Sequence, residues 1–167
     1  MGILAVRKLG HMCTAFAVTG GLLLSLASGA SAATDEEGAN SEGKVRLSFG
    51  NCTLTRDDPH WSSNGGSVVQ KSRVHCPSSA EVRVEMQLHH ISGGSAGSPV
   101  EGPGQVVMTE TETRTIPAGQ RLTFQVPPPG GAKVTQAGTY YGSTTATVVK
   151  NGASSSGKSN HKYVSPK

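Results

Sequence analysis

The chain has 167 residues, 15 of them Lys or Arg and 11 Asp or Glu, with 22 Gly and a single Trp. That length suits one domain, and its charges are scattered rather than gathered into a basic stripe interleaved with aromatics, which speaks against a nucleic-acid partner. With aromatics at only 4% of the residues, Val, Leu and Met must build the core.

Residues 1–32 carry the three parts of a secretory signal peptide. Arg7 and Lys8 form a positive start, Ala15 to Leu26 an apolar middle, and Ala30-Ser31-Ala32 a small-residue cleavage site. The apolar part is shorter than the roughly 20 residues that cross a bilayer, and no second hydrophobic segment follows, so no membrane span is expected in the mature chain. Loss of Arg7 and Lys8 with the signal leaves 13 basic and 11 acidic residues, a net charge of +2. Residues 33–43 are polar, acidic and without an apolar face, which reads as a disordered leader. Residues 44–167 remain as the secreted domain.

Within that domain, Val45, Leu47 and Phe49 alternate as a strand. The parity flips at Gly50-Asn51, which suggests a bulge or a kink where a strand changes sheets. Cys52 and Leu54 begin the next strand, and Val68, Val74 and Cys76 share one parity of a strand from Ser67 to Cys76. With Cys13 removed, Cys52 and Cys76 form an even pair, which reads as a disulfide in an oxidising compartment. If the two cysteines lie directly opposite each other in an antiparallel pair, Leu54 faces Val74 and Arg56 faces Ser72, so bond and hydrophobic pattern agree on one register. The stretch from Asp58 to Gly66 is then the hairpin loop. The clearest strand follows: Val82, Val84, Met86 and Leu88 on one face, Glu81, Arg83, Glu85 and Gln87 on the other.

Residues 92–104 read as a flexible Gly/Ser/Pro loop. Residues 105–115 are Thr-rich, like an edge strand with Glu110, Glu112 and Arg114 discouraging self-pairing. Leu122, Phe124 and Val126 mark an inner strand that Pro127-Pro128-Pro129 breaks. Tyr140, Ala146 and Val148 share the inner parity of another, and a last strand is expected at about 161–164. About seven short strands and no helical periodicity indicate an all-β, antiparallel sandwich.

The pattern G-x-x-x-x-G-K-S is satisfied by Gly152 to Ser159. A phosphate loop needs a helix starting at its Lys-Ser, and only eight residues follow, so the stretch reads as a flexible hairpin loop and no nucleotide is expected. His89 and His90 are adjacent on a strand and point to opposite faces, which does not suit a shared metal. No serine sits in a nucleophile setting, and Glu81 and Glu85 with Arg83 between them read as a wet, ion-paired face. Neither a cofactor nor a catalytic residue is assigned. If the strands run up and down, residues 57–66, 92–104 and 127–137 gather at one end, presenting His60, Trp61, His90 and the three prolines. Trp61 there either folds back over the core or offers a stacking surface.

Gln136-Ala137-Gly138-Thr139-Tyr140-Tyr141-Gly142 resembles the D-x-G-x-Y-x-C corner of immunoglobulin-like domains, with Gly138 and Tyr140 matching and Gln136 and Gly142 departing from it. The resemblance implies that Tyr140 turns inward and its hydroxyl bonds upstream backbone. The signal, the Cys52/Cys76 pair, the Asp58-Pro59-His60-x-Ser loop and the Gly138-x-Tyr140-Tyr141 corner together resemble uncharacterised small secreted proteins of high-GC Gram-positive bacteria. The expectation is therefore a secreted, monomeric, immunoglobulin-like sandwich that is not an enzyme. It binds an extracellular protein or an envelope polysaccharide through His60, Trp61 and His90. The alternatives are a small extracellular hydrolase using His60 and His89 with a carboxylate, and a structural envelope or spore-coat component.

Overall fold

A computed structural model describes Gly38–Ala39 and residues 45–167. The expected signal peptide at 1–32, and the leader at 33–43 apart from Gly38–Ala39, lie outside the described residues. The elements in order are β1 (Gly38–Ala39), β2 (Val45–Phe49), β3 (Cys52–Arg56), β4 (His60–Ser62), β5 (Ser67–His75) and β6 (Ala80–Ile91). They continue with β7 (Gln105–Ile116), β8 (Arg121–Val126), β9 (Gly138–Val148), β10 (Ser154–Lys158) and β11 (Lys162–Val164). The described residues contain no helix.

The strands form two antiparallel sheets. The first runs β1-β2-β3-β5-β8, with β4 also on β5; the second runs β7-β6-β9-β10, with β11 also on β9. Period-two patterning places the apolar row of each strand between them: Val82, Val84, Met86 and Leu88 of β6 face Leu54, Val74, Phe124 and Val126 of the other sheet's strands in one buried cluster. The 105–115 stretch is indeed an edge strand, β7, paired among the described strands only with β6.

Cys52 and Cys76 are bonded, with Cα atoms 4.2 Å apart. The ladder beside them runs Leu54↔Val74 and Arg56↔Ser72, the register that the cysteine pair implied. The parity flip at Gly50-Asn51 has a different cause from the one expected. β2 and β3 are neighbours in one sheet, with Phe49 opposite Cys52, so the flip is a two-residue hairpin turn rather than a change of sheet. Gly50 stands there at φ +58°, a conformation that a side chain disfavours.

Two further expectations are corrected. The 58–66 stretch is not a continuous loop, because β5 extends beyond β3 and exposes unpaired backbone that β4 satisfies: His60 lies opposite Val69 and Ser62 opposite Ser67. The true turn is 63–66, closed by the Gly66 amide donating to the Ser62 carbonyl at 2.7 Å. The Ser/Gly stretch near residue 155 is likewise a strand, β10, so the phosphate-loop pattern lies on extended chain.

The same device therefore occurs twice. On the edge of β5, Arg56 opposes Ser72 and the next pair is His60 with Val69: four residues forward against three back, a one-residue slip. On the edge of β9, Lys158 opposes Ser143 and the next pair is Lys162 with Tyr140, the same slip. The two interruptions are tied together. Asp58 accepts the Asn160 amide at 3.0 Å on Oδ1 and the Asn160 side-chain amide at 3.3 Å on Oδ2.

Between the sheets lies a polar layer. Ser72 and Thr144 share a hydrogen bond at 2.9 Å from one sheet to the other, and Gln70 donates to Ser72 at 3.2 Å. Gln70 occupies the space over Gly142, where a Cβ would come within 2.5 Å of the Gln70 Cγ. Tyr140 is fully buried and its hydroxyl donates to the Gln136 carbonyl at 2.6 Å.

Candidate functional site

The strand directions bring the 63–66 turn, the 92–104 loop and the 127–137 segment to one end of the sandwich, because β5 and β9 start there and β6 and β8 finish there. The short connections fill the other end, where the Gly119 amide meets the Cys76 carbonyl and the Val149 amide meets the Glu81 carbonyl, both at 2.9 Å.

At the seam between β4 and β11, next to the long-loop end, is a cleft of about 450 Å³ lined by Asp58, Pro59, His60, Trp61, Lys162, Tyr163 and the residues that follow them. Each strand earns its place through the slips described above. β4 can reach the seam only because β3 stops short on the edge of β5, and β11 only because β10 stops short on β9. Trp61 is half-buried: it packs on the hydrophobic cluster and also lines the cleft. It is thus both cover and surface, where the sequence suggested one or the other. His60 is exposed, and its Nδ1 lies 3.1 Å from the Asp58 carbonyl. A carbonyl only accepts, so Nδ1 carries the proton and Nε2 is left for other partners. Lys162 is half-exposed and reaches Asp58 at 3.6 Å.

The remaining expectations for this end do not share the cleft. His90 is buried, not on the surface: it lies on the inner parity of β6, its ring 4.8 Å from that of Tyr140 and its Nε2 3.3 Å from the Ala137 carbonyl. The three prolines border a separate depression of about 260 Å³ with Ser67, Val69 and Gln125. His89 is not beside His60. It stands on the outer face of the second sheet, stacked on Tyr141 with centroids 4.3 Å apart, and Nε2 lies 3.1 Å from the Ser143 hydroxyl. Burial lowers its pKa from the ordinary value, the charge of Lys158 adds to that, and the Gly104 backbone opposes it. Among the described residues no three His, Cys, Asp or Glu side chains are grouped closely enough to hold a metal ion.

Around His89 the 92–104 loop is fastened to the sheet. His161 pairs with Glu101 at 2.7 Å, the Gly104 amide donates to the Tyr141 hydroxyl at 3.2 Å, and the Val100 amide donates to Thr139 at 3.0 Å. This loop is ordered by side chains of β9 and of the approach to β11, and is not the free Gly/Ser segment that its composition suggested. Sequence reasoning missed Lys162 and Tyr163 as cleft residues. Their strand was expected, but its position beside Trp61 depends on both slips, and no local pattern records those.

No protein-family model matches the chain, and no curated protein matches it either. No helix among the described residues is long and apolar enough to cross a membrane.

Proposed function

We propose that the chain is an exported, immunoglobulin-like β-sandwich that acts without catalysis, binding an extracellular partner in the cleft walled by Trp61. The strand order supports the immunoglobulin-like reading: β3-β5-β8 face β7-β6-β9-β10, and the chain crosses between the sheets three times, after β5, β7 and β8, as many crossings as that architecture has. The Tyr140 hydroxyl, bonded four residues upstream, is the corner those domains share. Gln70 on Gly142 fills the inter-sheet position at which antibody domains carry a disulfide. The Cys52–Cys76 bond suits an oxidising compartment and so supports export.

The observation that carries the binding reading is the concurrence of a partly exposed Trp with a ligand-sized cleft on the rim of a rigid sandwich. Trp61 is the only tryptophan in the chain, so the indole emission of the folded protein comes from that cleft's wall. Envelope polysaccharide and concentrated culture medium, titrated separately, are expected to change the emission of the protein. Trp61→Phe, which keeps an aromatic on the core, is expected to weaken capture of the same material at unchanged melting temperature. Equal capture by the two proteins would remove the cleft from consideration.

A further inference from the structure

The cleft has a chemical bias that narrows its ligand, on the reading that it is a binding site. We infer that it takes an anionic saccharide, one bearing carboxylate or phosphate groups, rather than a neutral glycan. Neutral sugars present hydroxyls that donate as well as accept, and a site for them needs side-chain acceptors, most effectively a carboxylate with free lone pairs. The carboxylate lining this cleft, Asp58, already has a partner on each oxygen. Its Oδ1 accepts the Asn160 backbone amide at 3.0 Å, its Oδ2 accepts the Asn160 side chain at 3.3 Å, and its side chain is only 21% exposed. It serves as the tie between the two sheet edges.

Beside the His60 Nε2 acceptor, what the cleft offers outward is charged donors. The Lys162 ammonium has three protons, a side-chain exposure of 52%, and one long contact to Asp58 at 3.6 Å, which leaves donor capacity towards the cleft. Lys167, another lining residue, carries a second ammonium. Trp61 supplies the apolar part, an aromatic residue suited to packing on the C–H side of a pyranose. A cationic ligand would also favour an indole face, but the Lys162 ammonium beside Asp58 opposes it. An aromatic wall, the Lys162 cation and an acid already bonded on both oxygens together favour a ring with acidic substituents.

The test uses the full secreted protein and its Trp61 emission, titrated with three polymers of similar length: polygalacturonate, a glycerol-phosphate polymer, and dextran as the neutral control. Saturable change with one or both anionic polymers and none with dextran is expected, and the pattern tells carboxylate from phosphate as the recognised group. Lys162→Gln should weaken that binding about tenfold, the loss of one charge-assisted hydrogen bond. Lys167→Gln gives the same test if Lys162→Gln lowers the melting temperature. Dextran binding equal to that of the anionic polymers, unaffected by either substitution, would overturn the anionic assignment and leave the binding site standing. No response to any of the three, with capture from envelope material by the wild type still dependent on Trp61, would also overturn it. No response and no such capture would remove both readings.

Discussion

Replacing Tyr140 by Phe removes one oxygen from the interior, and its effect should change with pH in a defined way. At neutral pH the loss is one hydrogen bond, the 2.6 Å contact to the Gln136 carbonyl. Gln136 is exposed, so its carbonyl can recover a water partner, and the cost should be about 1 kcal/mol. At alkaline pH the comparison shifts. Burial pushes the Tyr140 hydroxyl up to about 12, against about 10 in an unfolded chain. Between those values the unfolded state loses the proton first, so the native protein loses stability as pH rises through 10 towards 12. At pH 11 the loss is about 1.4 kcal/mol, one pKa unit's worth, and Phe does not share it. The variant should therefore be less stable than wild type at pH 7.5 and equal to it near pH 11. Urea unfolding followed by Trp61 emission at both pH values measures this. A stability gap that stays constant between them would show that Tyr140 does not titrate from a buried site, and the argument would fail.

The disulfide and the packing between the sheets give two more tests. Cys52 and Cys76 are 24 residues apart, so Cys52→Ser with Cys76→Ser should cost about 3.5 kcal/mol by loop entropy. Over about 120 ordered residues that lowers the melting temperature by roughly 13 °C; a fall of only two or three degrees would mean the unfolded chain is already held near this register by other contacts. Gly142→Ala drives a methyl to within 2.5 Å of the Gln70 Cγ and should destabilise by about 1–3 kcal/mol. Adding Gln70→Ala should recover much of this, because the obstacle goes with it, and strictly additive losses would place the strain elsewhere.

Much of the fold was legible because its signals are local. The row Val82-Val84-Met86-Leu88 reads as one buried face at sight, and the cysteine pair constrains a register that Leu54, Val74, Arg56 and Ser72 then obey. His90 shows that the same rule extends further than it was taken. It shares the parity of Leu88, and the β6–β9 ladder continues through it to Ile91, so the side chain points inward even though a loop begins two residues later. The slip between Leu88 and His89 affects only the pairing with β7. β4 was illegible for the opposite reason. Three residues after a proline carry no periodicity, and they form a strand because β5 outruns its neighbour. The cleft inherits that difficulty, since His60 and Trp61 stand out in the sequence while Lys162, more than 100 positions later, meets them only through topology.

The twin slips on the edges of β5 and β9 divide the sandwich into regions that can change at different rates. The ladder bearing the disulfide, β3 on β5, ends before the first slip, and the β10 pairing ends before the second. The walls of the cleft are built around what comes after them, two strands of three residues each with the residues beside them, joined to the rest by Asp58 and Asn160. The exposed residues of these segments, His60, Ser63, Lys162 and Ser165, can therefore be exchanged or recharged without altering the register of the longer strands. A scaffold divided in this way allows recognition to be re-targeted while folding is conserved, and a library confined to those two segments would draw on a division of labour already present in the chain.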